Sequence, residues 1–213
     1  MKKAIVIGST GMVGTQLIEL LIFSNDYSEI ISLVRRESGI VHSKLKEYIV
    51  DFEQPESWKH LVAGDVLFSC MGTTIAKAKT KSNQFKIDYS YQLKVAEIAS
   101  ANAVPSYVLV SSAGANANSS TFYMKIKGQL EEAVKLLPFS TIIILRPGQL
   151  YGYRHEYRLG EKLALSIMFG LNKAGILRKF KPIHAREVAQ AMINAERIQK
   201  SHTYKLNELF DIK

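Results

Sequence analysis

The chain has 213 residues, enough for one well-buried core and too few for two full domains joined by a linker. Hydrophobic residues make up 47% and charged residues 22%, with no low-complexity stretch and no internal repeat, which excludes disordered, collagenous and repeat architectures. The net charge of +9 comes from scattered basic residues, densest at Lys77-Lys79-Lys81 and Arg178-Lys179-Lys181. Phe180 is the one aromatic within either group, too few for base stacking, so no specific nucleic-acid partner is expected, and the charge suits an anionic, phosphorylated ligand equally well.

Met1-Lys2-Lys3 followed by Ala4-Ile5-Val6-Ile7 has the charge order of a signal peptide, but the apolar run stops at Gly8-Ser9-Thr10 and reads as a first strand. No apolar stretch reaches the ~18 residues of a membrane span. The expected location is therefore cytoplasmic, with no membrane partner. Directly after the strand comes Gly8-Ser9-Thr10-Gly11-Met12-Val13-Gly14, and then Leu17, Ile18, Leu20 and Leu21 at helical spacing. Strand, glycine turn and helix in that order open a nucleotide-binding unit: the backbone approaches a pyrophosphate, whose charge rests on the N–H groups at the helix start. The expected ligand is a dinucleotide.

Further strands are predicted at 29–34, 47–50, 65–70, 107–110 and 140–145, with helices at 83–101, 121–137 and 185–197 and one beginning near Pro55. Apolar strands alternating with amphipathic helices give an α/β fold: a doubly wound parallel sheet covered on both faces. In such a sheet the ligand crevice lies at the carboxyl ends of the strands. That rule gathers the glycine loop, Arg35-Arg36, Asp51-Phe52, Cys70-Met71-Gly72-Thr73-Thr74, Ser111-Ser112 and Arg146-Pro147-Gly148 into one site. Cys70, the single cysteine, excludes an intramolecular disulfide, and the five histidines have no metal-ligand spacing.

An NAD site places an acid near the end of the second strand; this chain has Arg35 and Arg36, followed by Glu37. A guanidinium pairs with a 2′-phosphate in fork geometry, which favours NADP(H) over NAD(H). Asp51 has two readings: an acceptor for the adenine amino group, or a cap for the helix near Pro55. Tyr123 and Lys127 are four apart on a predicted helix, hence on one face, beside the predicted crevice.

Together these segments, with Tyr123-Met124-Lys125-Ile126-Lys127-Gly128, resemble the atypical branch of the short-chain dehydrogenase/reductase superfamily and, within it, the group like the Tat-interacting oxidoreductase. The resemblance implies a Rossmann fold of strand order 3-2-1-4-5-6. It also implies Tyr123 as proton donor or acceptor, Lys127 as the group holding the nicotinamide ribose, and Ser112, with Ser111 as the alternative, holding the substrate oxygen. The Asn-Asn-Ala-Gly pattern of typical members is replaced by Cys70-Met71-Gly72-Thr73-Thr74, which puts a four-residue proton relay in doubt.

Residues 149–213 are expected to form a small substrate lid and the closing elements of a single domain spanning 1–213. Tyr151, Tyr153, His155, Tyr157 and Arg158 lie where that lid would meet the nicotinamide, Glu161 to Phe169 read as helical and apolar, and His184 takes no catalytic role. The activity expected is that of an NADP(H)-dependent oxidoreductase acting on a small carbonyl or alcohol, in a monomer or homodimer. The alternative is an NADPH-binding, redox-sensing or partner-binding protein without turnover.

Overall fold

The computed structural model describes residues 1–152 and 182–212. Its elements run β1 (Lys2–Ile7), α1 (Met12–Phe23), β2 (Tyr27–Val34), β3 (Leu45–Ile49), β4 (Val66–Ser69), α2 (Ile75–Ala78), α3 (Lys81–Phe85), a π-helical turn (Lys86–Ser90) and α4 (Tyr91–Ala101). There follow β5 (Ser106–Val110), α5 (Phe122–Lys135), β6 (Thr141–Arg146), β7 (Leu150–Tyr151), β8 (Ile183–His184), α6 (Ala185–Ile198) and β9 (His202–Lys205). The main sheet has the order β3-β2-β1-β4-β5-β6-β9, and every adjacent pair is parallel. The expected six-strand order is thus present, extended by β9, which four residues between α6 and the chain end supply.

Alternation along β1 shows why both faces must be covered. Ala4 and Val6 point to one side, where they join Leu17, Ile18 and Leu21 of α1 and Val188 and Met192 of α6. Ile5 and Ile7 point to the other, against Val95 and Ala99 of α4 and Leu130 and Val134 of α5. A strand buried on both faces is apolar at every position, as Ala4-Ile5-Val6-Ile7 is. Each such Ile, Leu or Val contributes about 1.5–3 kcal/mol by leaving water. At the amino ends of the strands, Lys2 Nζ and the Tyr27 hydroxyl both donate to the buried carboxylate of Glu196, at 2.7 and 2.9 Å, fastening α6 to the sheet. Burial and that carboxylate hold the Tyr27 phenol well above its usual pKa, so it stays a donor.

Two local expectations change. No regular helix begins near Pro55: the connection holds two short 3₁₀ turns, Pro55–Ser57 and Lys59–Leu61, because Asp51 and Trp58 close a tight turn there. The helix expected at 83–101 is one uninterrupted run that starts at Lys81 and widens into π geometry between Lys86 and Ser90. Tyr153, His155, Tyr157, Arg158, residues 161–169 and the Arg178-Lys179-Lys181 group lie outside the described residues.

Candidate active site

The sheet order changes direction between β1 and β4, and a cleft of about 470 Å³ opens there at the carboxyl ends of the strands. One wall is the turn from β1 into α1. Gly8 has φ +78, and a Cβ there would fall 2.5 Å from the backbone of Cys70 and Met71. Gly14 sits where a Cβ would overlap the Gly8 carbonyl oxygen, so the first turn of α1 lies flat on the loop. The side chains of this loop turn inward: Ser9 Oγ accepts a hydrogen bond from Ser32 Oγ at 2.7 Å, and Thr15 Oγ1 donates to the carbonyls of Ser9 and Gly11. This wall of the cleft is lined by Thr10, Gly11, Met12 and Val13 at the start of α1, continued by Thr15, Gln16 and Glu19 along the helix. Gly11 caps α1 without a side-chain hydrogen bond, and no acid stands in the first turn. The orphan N–H groups of the helix start, with the positive end of its dipole, are thereby left for an anion.

The opposite wall comes from β4, β5 and α5. Met71, Gly72 and Thr73 line it, as does Cys70, whose Sγ turns away to Met192 Sδ at 3.7 Å. Burial pushes the Cys70 thiol up to about 12, so it is unreactive near neutral pH. Tyr123 and Lys127 lie one turn apart on α5 and both face the cleft. The Tyr123 hydroxyl makes no hydrogen bond within the described residues. Lys127 is 2% exposed, and its ammonium stands 3.6 Å from Oδ1 of Asp88, which is itself fully buried in the π-helical turn. Asp88 also accepts from the Thr73 backbone N–H at 3.1 Å. Burial raises the Asp88 carboxyl pKa, while the Lys127 charge and the Thr73 hydrogen bond oppose the shift.

Several predicted residues take other places. Ser112 lies outside the cleft, its Oγ 3.4 Å from the Ala113 carbonyl, while Ser111 lines the cleft. Pairing with β6 continues one residue past β5, since Ser111 N–H donates to the Leu145 carbonyl, and this fixes Ser111 rather than Ser112 at the strand's mouth. Ser111 Oγ donates to the buried carboxylate of Glu131, one turn beyond Lys127. Arg146 does not reach the cleft either: its guanidinium clamps Glu131 in fork geometry, Nε at 3.0 Å and Nη2 at 2.5 Å. That hydrogen-bonded carboxylate raises the Arg146 pKa further. Pro147 offers its carbonyl to Ala113 N–H, so Arg146-Pro147-Gly148 brace the loop after β5, and Leu150 lines the cleft instead.

Asp51 accepts from Glu53 N–H and Gln54 Nε2, closing a local turn rather than capping a helix, since Gln54 precedes the 3₁₀ turn at Pro55 without a side-chain cap, and Phe52 is buried between Trp58 and Tyr91 at ring distances of 5.7 and 5.5 Å. Neither lines the cleft. Of the two arginines after β2, both exposed and without an ion pair within the described residues, Arg36 lines the cleft and Arg35 does not. His184 caps α6, its Nδ1 accepting from Arg186 N–H while the Glu187 carboxylate accepts from the His184 N–H.

Sequence reasoning missed Asp88 and Glu131. A signal existed for each: Glu131 continues the spacing of four from Tyr123 and Lys127, and Asp88 is the middle of Gln84, Asp88 and Gln92, a polar stripe on an otherwise apolar helix face.

The chain matches the HIM1 family over residues 24–181. It is 36% identical over 199 residues to the protein FMP52-1, mitochondrial, of Scheffersomyces stipitis, which covers 91% of this chain and 87% of the relative. It is 34% identical over 167 residues to the protein HTATIP2 of Rattus norvegicus, covering 76% of this chain and 69% of the relative. Among solved structures it is similar to the Bordetella bronchiseptica enzyme WbmH in complex with NAD+, with a TM-score of 0.75 and 16% identity over 99% of this chain and 80% of that one. The Helicobacter pylori ADP-L-glycero-D-manno-heptose-6-epimerase gives a TM-score of 0.73 and 19% identity over 98% of this chain and 80% of that one. At such identities the likeness shows the fold alone, a Rossmann-type domain. The expected cytoplasmic location is corrected by the relatives, since those of Scheffersomyces stipitis and Candida albicans are named mitochondrial. The lack of a long apolar run bears on membrane crossing and carries no information about an organelle. With its family match and its relatives in agreement, the chain belongs to the HIM1 family, and its sheet order is that of a Rossmann-type fold.

Proposed function

We propose that the protein is an NADP(H)-dependent oxidoreductase acting on a small carbonyl or alcohol. The observation that carries this reading is the pairing of two walls in one cleft: an uncapped helix start on one side, and on the other Tyr123, whose hydroxyl has no hydrogen bond among the described residues, beside a buried Lys127 ammonium. The residues fit a dinucleotide. The orphan N–H groups of Met12 and Val13, the first residues of α1, suit a pyrophosphate, and Arg36 at the rim suits a 2′-phosphate, whose fork geometry a guanidinium matches.

A nicotinamide dinucleotide bound there would supply or accept hydride. Tyr123 gives its hydroxyl proton to a carbonyl oxygen, or takes one from an alcohol. Lys127 is held by Asp88 in the same wall, placed for the ribose hydroxyls. Ser111, with its proton turned to Glu131, presents lone pairs to a substrate hydroxyl. The WbmH structure contains NAD+, whereas Arg36 in this chain argues for the phosphorylated cofactor.

Fluorescence titration with NADPH and NADH, followed by NADPH consumption over a broad aldehyde and ketone panel, tests the reading. Expected are tighter NADPH binding and turnover of at least one carbonyl. Equal affinities would refute the role of Arg36, and binding without any turnover would favour the redox-sensing alternative.

A further inference from the structure

The π-helical turn between α3 and α4 is expensive in backbone hydrogen bonding, and one buried side chain completes it. Tyr91 N–H donates to the Lys86 carbonyl, five residues back, so the Ile87 carbonyl loses the donor a regular helix would give it. The amide of Gln92 takes that place: Nε2 donates to the Asp88 carbonyl at 2.8 Å and reaches the Ile87 carbonyl at 3.4 Å. Its Oε1 accepts from Ser69 Oγ at 2.8 Å, which anchors the amide to the end of β4. Gln92 is fully buried, and it does not line the cleft.

The turn decides where Asp88 points. At 3.6 residues per turn, a spacing of four overshoots a full rotation by about 40° at each step, so Gln84, Asp88 and Gln92 would drift by about 80° across the face of a regular helix. The wider turn takes up that overshoot, and all three are buried on one face. Asp88 is thereby aimed at Lys127 and at the Thr73 N–H. A buried ammonium stays in place only while its counter-charge does.

We infer that Gln92 is a positioning residue for Lys127: by completing the π-helical turn, it holds Asp88 where it fixes the lysine in the cleft. The inference rests on the reading of Lys127 as a cofactor-binding group only for its functional consequence, and its test does not need cofactor. The apo protein is treated with acetic anhydride, and acetylation of Lys127 is followed by peptide mass spectrometry against exposed Lys125 on the same helix. Gln92→Met should raise the relative rate at Lys127 by about fivefold or more, and Ser69→Ala, which removes only the anchor of the amide, by a smaller factor in the same direction. Val134→Ala, a core truncation of the same helix, supplies a loss of stability without touching the turn and should leave the rate as in the wild type. An unchanged Lys127 rate in both Gln92→Met and Ser69→Ala, or an equal rise in Val134→Ala, would overturn the inference. Should Gln92→Met not fold, Ser69→Ala against Val134→Ala decides alone. NADPH titration of the same variants reads the cofactor role separately: faster acetylation with unchanged NADPH affinity would support the positioning and refute Lys127 as a cofactor ligand.

Discussion

The two walls of the cleft are built on different principles. Along the glycine turn, the wall rests on close backbone approach and an uncapped helix start, with the hydroxyls of Ser9 and Thr15 bonded within the protein as braces. Along α5, Tyr123, Lys127 and Glu131 stand at successive turns, and each buried charge is held by a partner from another element: Asp88 from the π-helical turn, Arg146 from β6. The first wall fails when a Cβ has no room. The second fails when a charge loses its partner, because an uncompensated buried charge costs several kcal/mol.

Removing the Tyr123 hydroxyl, which has no hydrogen bond among the described residues, gives the largest expected effect. Tyr123→Phe should lower turnover by about 10²–10⁴ while the NADPH affinity stays within a factor of two, read by steady-state rates beside fluorescence titration. A parallel loss of binding would mean the walls do not divide the work. Next comes Glu131→Gln, which strips Arg146 of its counter-charge and leaves Ser111 only an uncharged amide oxygen to donate to. A loss of about 3–5 kcal/mol in urea unfolding is expected, as for other broken buried pairs. A loss below about 1 kcal/mol would show that the Arg146 side chain, partly open to water, finds its solvation there instead. On the first wall, Gly14→Ala forces α1 off the Gly8 carbonyl and should cost about 1–3 kcal/mol, with weaker NADPH binding as the distinguishing sign.

The same contrast explains what the sequence disclosed. A wall made of backbone must be made of glycine where chains touch, so Gly8, Gly11 and Gly14 announce it, and the apolar strands on either side fix its place in the sheet. Lys127 was legible as a site residue, but its burial was not, because Asp88 lies 39 positions earlier in a helix whose local widening no propensity reports. Arg146 misled for the same reason: its position after β6 is a ligand position, yet its charge is claimed by Glu131. The choice between Ser111 and Ser112 depended on one residue of strand register, and only the Ser111 hydrogen bond to Leu145 settles which one enters the cleft.

The smallest effect sharpens the comparison at the rim, where Arg35 and Arg36 were indistinguishable in sequence. Both are exposed, but successive residues leaving a strand diverge, and Arg36 alone faces the cleft. An exposed guanidinium meeting a phosphate contributes a charge-assisted pair, so Arg36→Ala should reduce the preference for NADPH over NADH by about tenfold, about 1.4 kcal/mol. Arg35→Ala, whose charge acts on Tyr91 behind the cleft, should change it by less than about threefold. The two variants also predict different salt responses. The Arg36 contribution should shrink between low and high ionic strength, since a rim pair is screened, whereas binding through the helix start, partly shielded by the loop, should shrink less. If Arg35→Ala proves the more damaging, the 2′-phosphate lies toward Tyr91 and Glu53, and the adenine end of the site must be redrawn along β3.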